Sequence, residues 1–210
     1  ELWGNGIRCV AKFVNDKGSA TKKNIKVKTE RGILNLELFI DEKTNTVSKV
    51  KVDMGEPIFE GSKIPVNINK DKILNEKISV DGKEFVFTSV SMGNPHCIIF
   101  VDKITDDMVF NLGPKIENHN LFPKKVNVEF IEVISDKELK MRVWERGSGE
   151  TLACGTGASA VCVASALNGK TERKVLIHLL GGDLELEWAD DNHVYKTGPA
   201  RISFEGEVEI

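Results

Sequence analysis

Several features that would settle a protein's class at once are missing from this chain of 210 residues. Its four cysteines, Cys9, Cys97, Cys154 and Cys162, form no C-x-x-C pair, and none stands at zinc-ligand spacing from a histidine pair. A metal site is therefore not expected, nor is a disulfide framework in a chain this long. Free thiols point to a reducing compartment, so the expected location is cytoplasmic. An excess of basic residues is also missing. Twenty-nine Lys and Arg face 32 Asp and Glu, for a net charge of −3, which argues against nucleic acid or an anionic membrane as partner. The chain opens at Glu1 with no basic-then-apolar leader, so no secretory signal is expected. There is no P-loop and no G-x-S-x-G. One long uncharged stretch exists, residues 151–169, but it is interrupted by Gly155, Gly157, Ser159, Ser165 and Asn168. A spanning helix needs about 20 strongly apolar residues, so this stretch reads as a loop feeding a buried helix. What remains is an ordinary globular balance, with a length that fits one large or two small domains.

Most of the chain has the period-two pattern of half-buried strands. Leu34, Leu36, Leu38 and Ile40 alternate with other positions, as do Val126, Val128 and Phe130, then Leu139, Met141 and Val143, then Leu184, Leu186 and Trp188. Residues 98–101 form a short continuous apolar run. Turn signals separate these segments: Asp81-Gly82, Gly93-Asn94-Pro95, Gly181-Gly182 and Gly198-Pro199. Helices are expected over about 6–14 and 157–167, the second stopping at Asn168-Gly169, with a weaker candidate at 104–110.

The two helix starts resemble each other. One reads Trp3-Gly4-Asn5-Gly6-Ile7-Arg8-Cys9 and the other Cys154-Gly155-Thr156-Gly157-Ala158-Ser159-Ala160. Each has G-x-G opening a helix, and Asn5 and Thr156 both suit an N-cap. This predicts two similar halves, each wrapping strands around one helix, with a boundary near Met54-Gly55-Glu56-Pro57. The expected division is residues 1–53, with 200–210 returning to them, and residues 54–199. About a hundred residues lie between that boundary and the second helix start, whereas five precede the first. The first half is accordingly read as truncated at its front.

The chemistry concentrates around the second helix start. Cys154 stands where the helix dipole and free N–H groups favour a thiolate, which makes it the expected most reactive thiol. The same turn is an anion site for a carboxylate or phosphate. Residues 155–160 also fit G-x-G-x-x-A, but a loop precedes them and no strand ending in an acidic residue follows at the dinucleotide-binding spacing. Glu145 shares parity with Leu139, Met141 and Val143, and a carboxylate on a buried face is costly unless paired or used. It and Arg146 are either a salt bridge at a strand end or a pair that binds the ammonium and carboxylate of one ligand. Asn94 either caps its turn or binds ligand, and His96 is either a satisfied strand-start histidine or functional. Asn127 is a polar interruption without further signal. His119, His178 and His193 stand alone and read as structural.

Taken in order, these residues resemble a known family. Ser91-Met92-Gly93-Asn94-Pro95-His96, Val126-Asn127, Glu145-Arg146-Gly147-Ser148-Gly149-Glu150-Thr151 and Ala153-Cys154-Gly155-Thr156-Gly157 follow the pattern of diaminopimelate epimerases. Gly4-Asn5-Gly6-Ile7-Arg8-Cys9 and Met54-Gly55-Glu56-Pro57 fit as well, so the resemblance covers essentially the whole chain. Proline racemases and phenazine-type isomerases share the fold, but their motifs are less similar.

The resemblance implies an α+β fold of two pseudo-symmetric domains, each a curved mixed β-sheet or barrel around a central helix, with the N-terminal one truncated here. It implies an isomerase that interconverts LL- and meso-diaminopimelate in lysine and cell-wall precursor biosynthesis. That activity uses no pyridoxal phosphate, no metal and no other cofactor. Two cysteines serve the two faces of the α-carbon, one removing a proton while the other delivers one. Cys154 would be one of them. Gly155 and Thr156, with Gly4 and Asn5, would hold the substrate carboxylate, and Asn94, Asn127, Glu145 and Arg146 would bind the rest. His96 and Glu145 would tune the cysteine acidities. The sequence departs from the family at the partner cysteine, whose position is held by Trp3. Activity of the chain as written is therefore expected to be impaired, and the alternative is an amino-acid-binding remnant of the same fold. A nucleotide-dependent enzyme using the G-x-G-x-x-A turn is a third reading. The expected partner is a small molecule, and a homodimer is one option for assembly.

Overall fold

A computed structural model describes residues 4–29 and 32–207. Twelve strands join in one mixed sheet that winds around two helices. In chain order the elements are α1 (Gly6–Asp16), β1 (Asn24–Thr29), β2 (Gly32–Asp41), β3 (Thr46–Asp53), β4 (Glu76–Val80), β5 (Lys83–Ser91), β6 (Pro95–Phe100), α2 (Gly113–Glu117), β7 (Asn127–Ser135), β8 (Glu138–Glu145), β9 (Gly149–Glu150), α3 (Gly155–Leu167), β10 (Lys174–Leu179), β11 (Gly182–Trp188) and β12 (Val194–Pro199). The strand order is β1-β2-β3-β12-β11-β10-β8-β7-β6-β5-β4, with β9 hairpinned onto β8. Among the described residues β6 with β7 and β8 with β10 are the parallel pairs. The path ends in two edges, β1 and β4, so the sheet is curved but not a closed barrel.

The last strand links the two ends of the chain. β12 pairs antiparallel with β3 on one side and β11 on the other, with Lys196 opposite Val52 and Leu186. Beyond it, Ala200 donates its N–H to Ser48 O, and Glu205 pairs with Lys17.

The two helices differ in how they are buried, and their sequences explain why. α1 is amphipathic. Ile7 and Ala11, one turn apart, face β3 and β2, while Val10 and Phe13 stand 47% and 57% exposed. α3 carries no charged residue, and all of Gly155 through Ser165 is buried. Its small Ala, Ser and Gly side chains let β5, β6, β7, β10, β11 and β12 all approach it. A helix apolar all round must be enclosed, and the curved sheet encloses it.

The strand alternation holds, and the two cores show its effect. On β6, Ile98 and Phe100 pack with α3, while Cys97 and Ile99 turn to a second core with Phe87, Val109, Ile116, Phe122 and Phe130. Asp81 and Gly82 both have positive φ, 53° and 74°, as a two-residue hairpin between β4 and β5 requires. Three local expectations are corrected. The helix expected at 104–110 lies further on, as a wide turn over Met108–Leu112 running into α2. Pro114 suits a helix start, and Gly113 packs flat against Trp144, where a Cβ would fall 2.8 Å from Trp144 Cβ. Gly198-Pro199 ends β12 rather than forming a turn, because Leu184 and Arg8 fill the space a side chain at 198 would take. The N-cap of α3 is Cys154 rather than Thr156, and Asn5 makes no side-chain cap bond.

The contrast in burial predicts a contrast in stability. Amides of α3 should exchange with deuterium only through global unfolding, whereas those of α1, with one face in solvent, should exchange through local opening. Peptide-resolved hydrogen exchange checks this, and equal protection of the two helices would contradict it.

Candidate active site

The start of α3 is where the chemistry-bearing side chains meet. β6 places His96 inward beside Asn127 of β7, and the next inward register pairs Ile98 with Glu129. His96 and Glu129 are both fully buried, with Nδ1 and Oε1 2.6 Å apart. Asn94, at the turn before β6, donates from Nδ2 to Thr156 Oγ1 at 3.2 Å and offers Oδ1 to His96 Nε2 at 3.2 Å. Thr156 Oγ1 lies 3.5 Å from Cys154 Sγ. A continuous polar line thus runs Glu129–His96–Asn94–Thr156–Cys154. With Asn94 Oδ1 as acceptor, His96 Nε2 carries hydrogen, so a single further proton is shared between Nδ1 and Oε1. Burial raises the Glu129 pKa, and His96 opposes that. Gly157 makes room for this pair: a Cβ there would sit 2.8 Å from Glu129 Oε1.

A second group comes from the β8–β9 hairpin. Its loop is pinned from below by Glu117 of α2, which accepts from Gly147 N–H at 3.1 Å and from Trp144 Nε1–H at 2.8 Å. Asn127 accepts the Arg146 backbone N–H at 2.9 Å and donates to Pro95 O at 3.1 Å, tying this loop to the turn that carries Asn94. Glu145 accepts a short hydrogen bond from Thr151 Oγ1. The Arg146 guanidinium donates to Lys124 O at 2.9 Å.

The third element is the start of α1, which abuts that of α3. Asn5 Nδ2 donates to Ala153 O at 3.0 Å, and its Oδ1 accepts from Arg8 Nη1 at 2.8 Å and from Lys196 Nζ at 3.3 Å. Gly4 and Gly155 face one another across Lys196 Nζ, which would collide with a Cβ on either.

The arrangement is a pair of abutting helix starts, with the Cys154 thiol, the His96–Glu129 pair and the Lys196 side chain around them. It can hold a carboxylate on backbone N–H groups and move a proton beside it. The diaminopimelate epimerase family model matches residues 88–203, the span from β5 through β12 and just beyond. The diaminopimelate epimerases of Desulfitobacterium hafniense and Acetivibrio thermocellus are 53% and 54% identical to this chain. The alignments cover 98% and 100% of the chain and 72% and 75% of those proteins. The chain belongs to the diaminopimelate epimerase family. Its fold also matches that of a probable proline racemase from Agrobacterium radiobacter, with TM-score 0.68 at 14% identity, over 97% of this chain and 66% of that one. A predicted epimerase from Pseudomonas aeruginosa matches with TM-score 0.58 at 15% identity, over 92% of this chain and 69% of that one.

In this family member the structure brings together Cys154, Gly155, Thr156, Asn94, His96, Asn127, Gly4 and Asn5, which lie far apart in sequence. Trp3 lies outside the described residues. One expectation about Cys154 is corrected. Only 4% exposed, its thiol is pushed up to about 12, by burial first and then by Glu145 and Glu129. The Thr156 contact and the Gly157 N–H at 3.4 Å favour the thiolate but are outweighed. The helix start thus sits in a wall of carboxylates that its sequence neighbourhood does not reveal. His178 and His193 do not stand alone either. His178 bridges Asp183 and Glu138, and His193 binds Asp53, all at the surface. Among the described residues no group of three His, Cys, Asp or Glu side chains gathers as metal donors, and no helix is long and apolar enough to cross a membrane.

Two partners of the site were missed in the sequence. Glu129 lies between Val128 and Phe130 in the fully buried part of β7, which is a legible anomaly. Lys196 shares parity with buried Val194 and Gly198, but with Tyr195 and Thr197 between them the pattern reads equally well the other way round.

Two measurements follow. At pH 8, iodoacetamide should label Cys9, the exposed thiol, ahead of Cys154, Cys97 and Cys162, which are buried. Earlier labelling of Cys154 by peptide mapping would contradict the burial argument. Asn94→Ala strands a buried His96 N–H and should destabilise the fold by about 1–3 kcal/mol in urea denaturation.

Proposed function

We propose that this chain carries an amino-acid epimerase site acting on diaminopimelate, with Cys154 as the acid/base group on one face of the α-carbon. The substrate carboxylate docks on the N–H groups at the starts of α1 and α3, and the cleft lies between residues 1–53, joined by 200–210, and residues 54–199. The observation that carries this reading is the polar line from Glu129 through His96, Asn94 and Thr156 to Cys154. It supplies a shared proton and fixes the groups that flank the thiol.

The raised pKa of Cys154 suits one direction of the reaction. A thiol that keeps its proton near neutral pH can deliver it to a carbanion, a stronger base. In the opposite direction Cys154 must act as thiolate, and the Gly157 N–H and the Thr156 hydroxyl are the groups placed to stabilise that charge. A carboxylate-bound substrate brings its α-ammonium, which Glu145, beside Asn127 and Asn94, is placed to receive. Offsetting the Glu145 charge in this way removes one of the causes that raise the Cys154 pKa.

Inversion needs a second group on the other face. At the position where the family resemblance puts that cysteine this chain has Trp3, whose indole donates no proton near neutral pH. Losing a positioned acid–base group typically removes about 10²–10⁴ in rate, and more is expected here because proton delivery to that face has no substitute. The reading is therefore a one-sided site: slow exchange of the α-hydrogen without net inversion. Incubating the protein with LL-diaminopimelate in D₂O tests it. Deuterium uptake at the α-carbon, lost in Cys154→Ala, with little meso product, is the expected result. LL-to-meso conversion at the rate of a two-cysteine epimerase would overturn the one-sided assignment. Uptake unaffected by Cys154→Ala would overturn the role of Cys154.

A further inference from the structure

Lys196 is the unexplained residue of this site. It is 0% exposed, on the strand that joins β3 to β11, with apolar Val52 and Leu186 as its cross-strand neighbours. Its Nζ reaches between the two glycine turns and makes one hydrogen bond, 3.3 Å to Asn5 Oδ1. Among the described residues no carboxylate pairs with it. The charged and titratable groups that face it are Arg8 of α1, which shares the same Asn5 oxygen, and Cys154 at the start of α3. The positive ends of both helices add to the same field. Burial, then Arg8, opposes a proton on Nζ and drives its pKa well below the ordinary lysine value, while Cys154 and the Asn5 oxygen favour the proton but are outweighed. An isolated ammonium in such a place is costly, and an unbranched apolar side chain would fill the space without that cost.

What would reverse the balance is an anion. At α3 the Gly157 N–H is taken by Cys154 Sγ and the Ala158 N–H by Cys154 O, which leaves the N–H groups of Gly155 and Thr156 for a ligand. Nζ lies directly behind Gly155 and Gly4. We propose that Lys196 is a positioning residue for carboxylate binding: it is an amine until a carboxylate docks across the two helix starts, and it takes up one proton from solvent when that happens. An N–H bond forms at the Nζ lone pair as the O–H bond of a hydronium ion or buffer acid breaks, and the conjugate base stays in solution. The resulting ammonium, behind the glycine turns, balances the bound anion and stabilises a thiolate at Cys154. This rests on the carboxylate-binding reading above and adds to it a proton-linked affinity, with binding favoured as pH falls toward neutrality.

Lys196→Met keeps length and volume, removes the amine and should fold. Calorimetric titration of meso-diaminopimelate at pH 8, in two buffers of different ionisation heat, counts protons taken up. The expected result is up to one proton more for the wild type than for Lys196→Met, with affinity about tenfold or more weaker in the variant. Binding with equal proton counts in the two proteins overturns the inference and leaves the substrate reading standing. If meso-diaminopimelate does not bind, the substrate reading falls, and acetate as the minimal carboxylate decides the inference by the same proton count. Binding of neither overturns both.

A ligand-free measurement tests the amine itself. The unfolded chain holds its lysine proton up to about pH 10.5, whereas the folded one releases it earlier. Between those two points the unfolded state binds more protons, so wild-type stability rises with pH relative to Lys196→Met. The Tm advantage of Lys196→Met should therefore shrink as pH rises toward 10. An advantage that does not change with pH overturns the inference.

Discussion

The burial of α3 on every side is the constraint on which the rest of the molecule depends. A helix made of Gly, Thr, Ala, Ser, Val and Cys has no polar face to give to water, so six strands must close around it. That requirement curves the sheet. It also brings β12 beside β3, so that late and early residues of the chain pair directly. Small side chains make the approach close enough for Glu129 to lie against Gly157 and for Lys196 to lie against Gly155. A bulkier helix would fit a flatter sheet and would hold those two groups away from its start.

Four ionisable groups, Glu129, His96, Cys154 and Lys196, are thereby buried around one helix end. Glu129 is held against His96, Oε1 to Nδ1, which offsets part of the cost of its burial. Cys154 keeps its proton because two carboxylates and burial outweigh the helix N–H groups. Burial first, and then Arg8, pushes the Lys196 pKa down. The acid–base groups of the site are thus held by burial and by one another's charge, and each is sensitive to a charge brought beside it. Such a site responds to a zwitterionic ligand more than a permanently charged one does, since the ligand's carboxylate and ammonium each change the balance for a nearby group.

The two helix starts are tied by Asn5, whose amide reaches Ala153 on one side and accepts from Arg8 and Lys196 on the other. This explains why Asn5 does not cap its own helix: its side chain is spent on the neighbouring one. The loop carrying Glu145 and Arg146 is held separately, by Glu117 and Asn127. Its geometry is therefore set by the second core, through Trp144 and α2, rather than by the helix starts.

The sequence by itself determined what is periodic or local. Alternation in 34–40, 139–143 and 184–188 predicted strands, because a half-buried strand must alternate. The G-x-G starts predicted two helices, and the uncharged run to Leu167 predicted that the second is enclosed, because only an enclosed helix tolerates that composition. The string from Glu145 to Gly157 was specific enough to indicate the family before any contact was known. The tertiary structure alone decided which groups share a site and with what charge. Glu129 reaches His96, Lys196 reaches Asn5, and the helix start of Cys154 is opposed by two carboxylates, all through partners that are distant in sequence. The favoured thiolate expected from the dipole of α3 was lost for that reason: a helix end is a local property, whereas desolvation and neighbouring charge depend on everything folded around it.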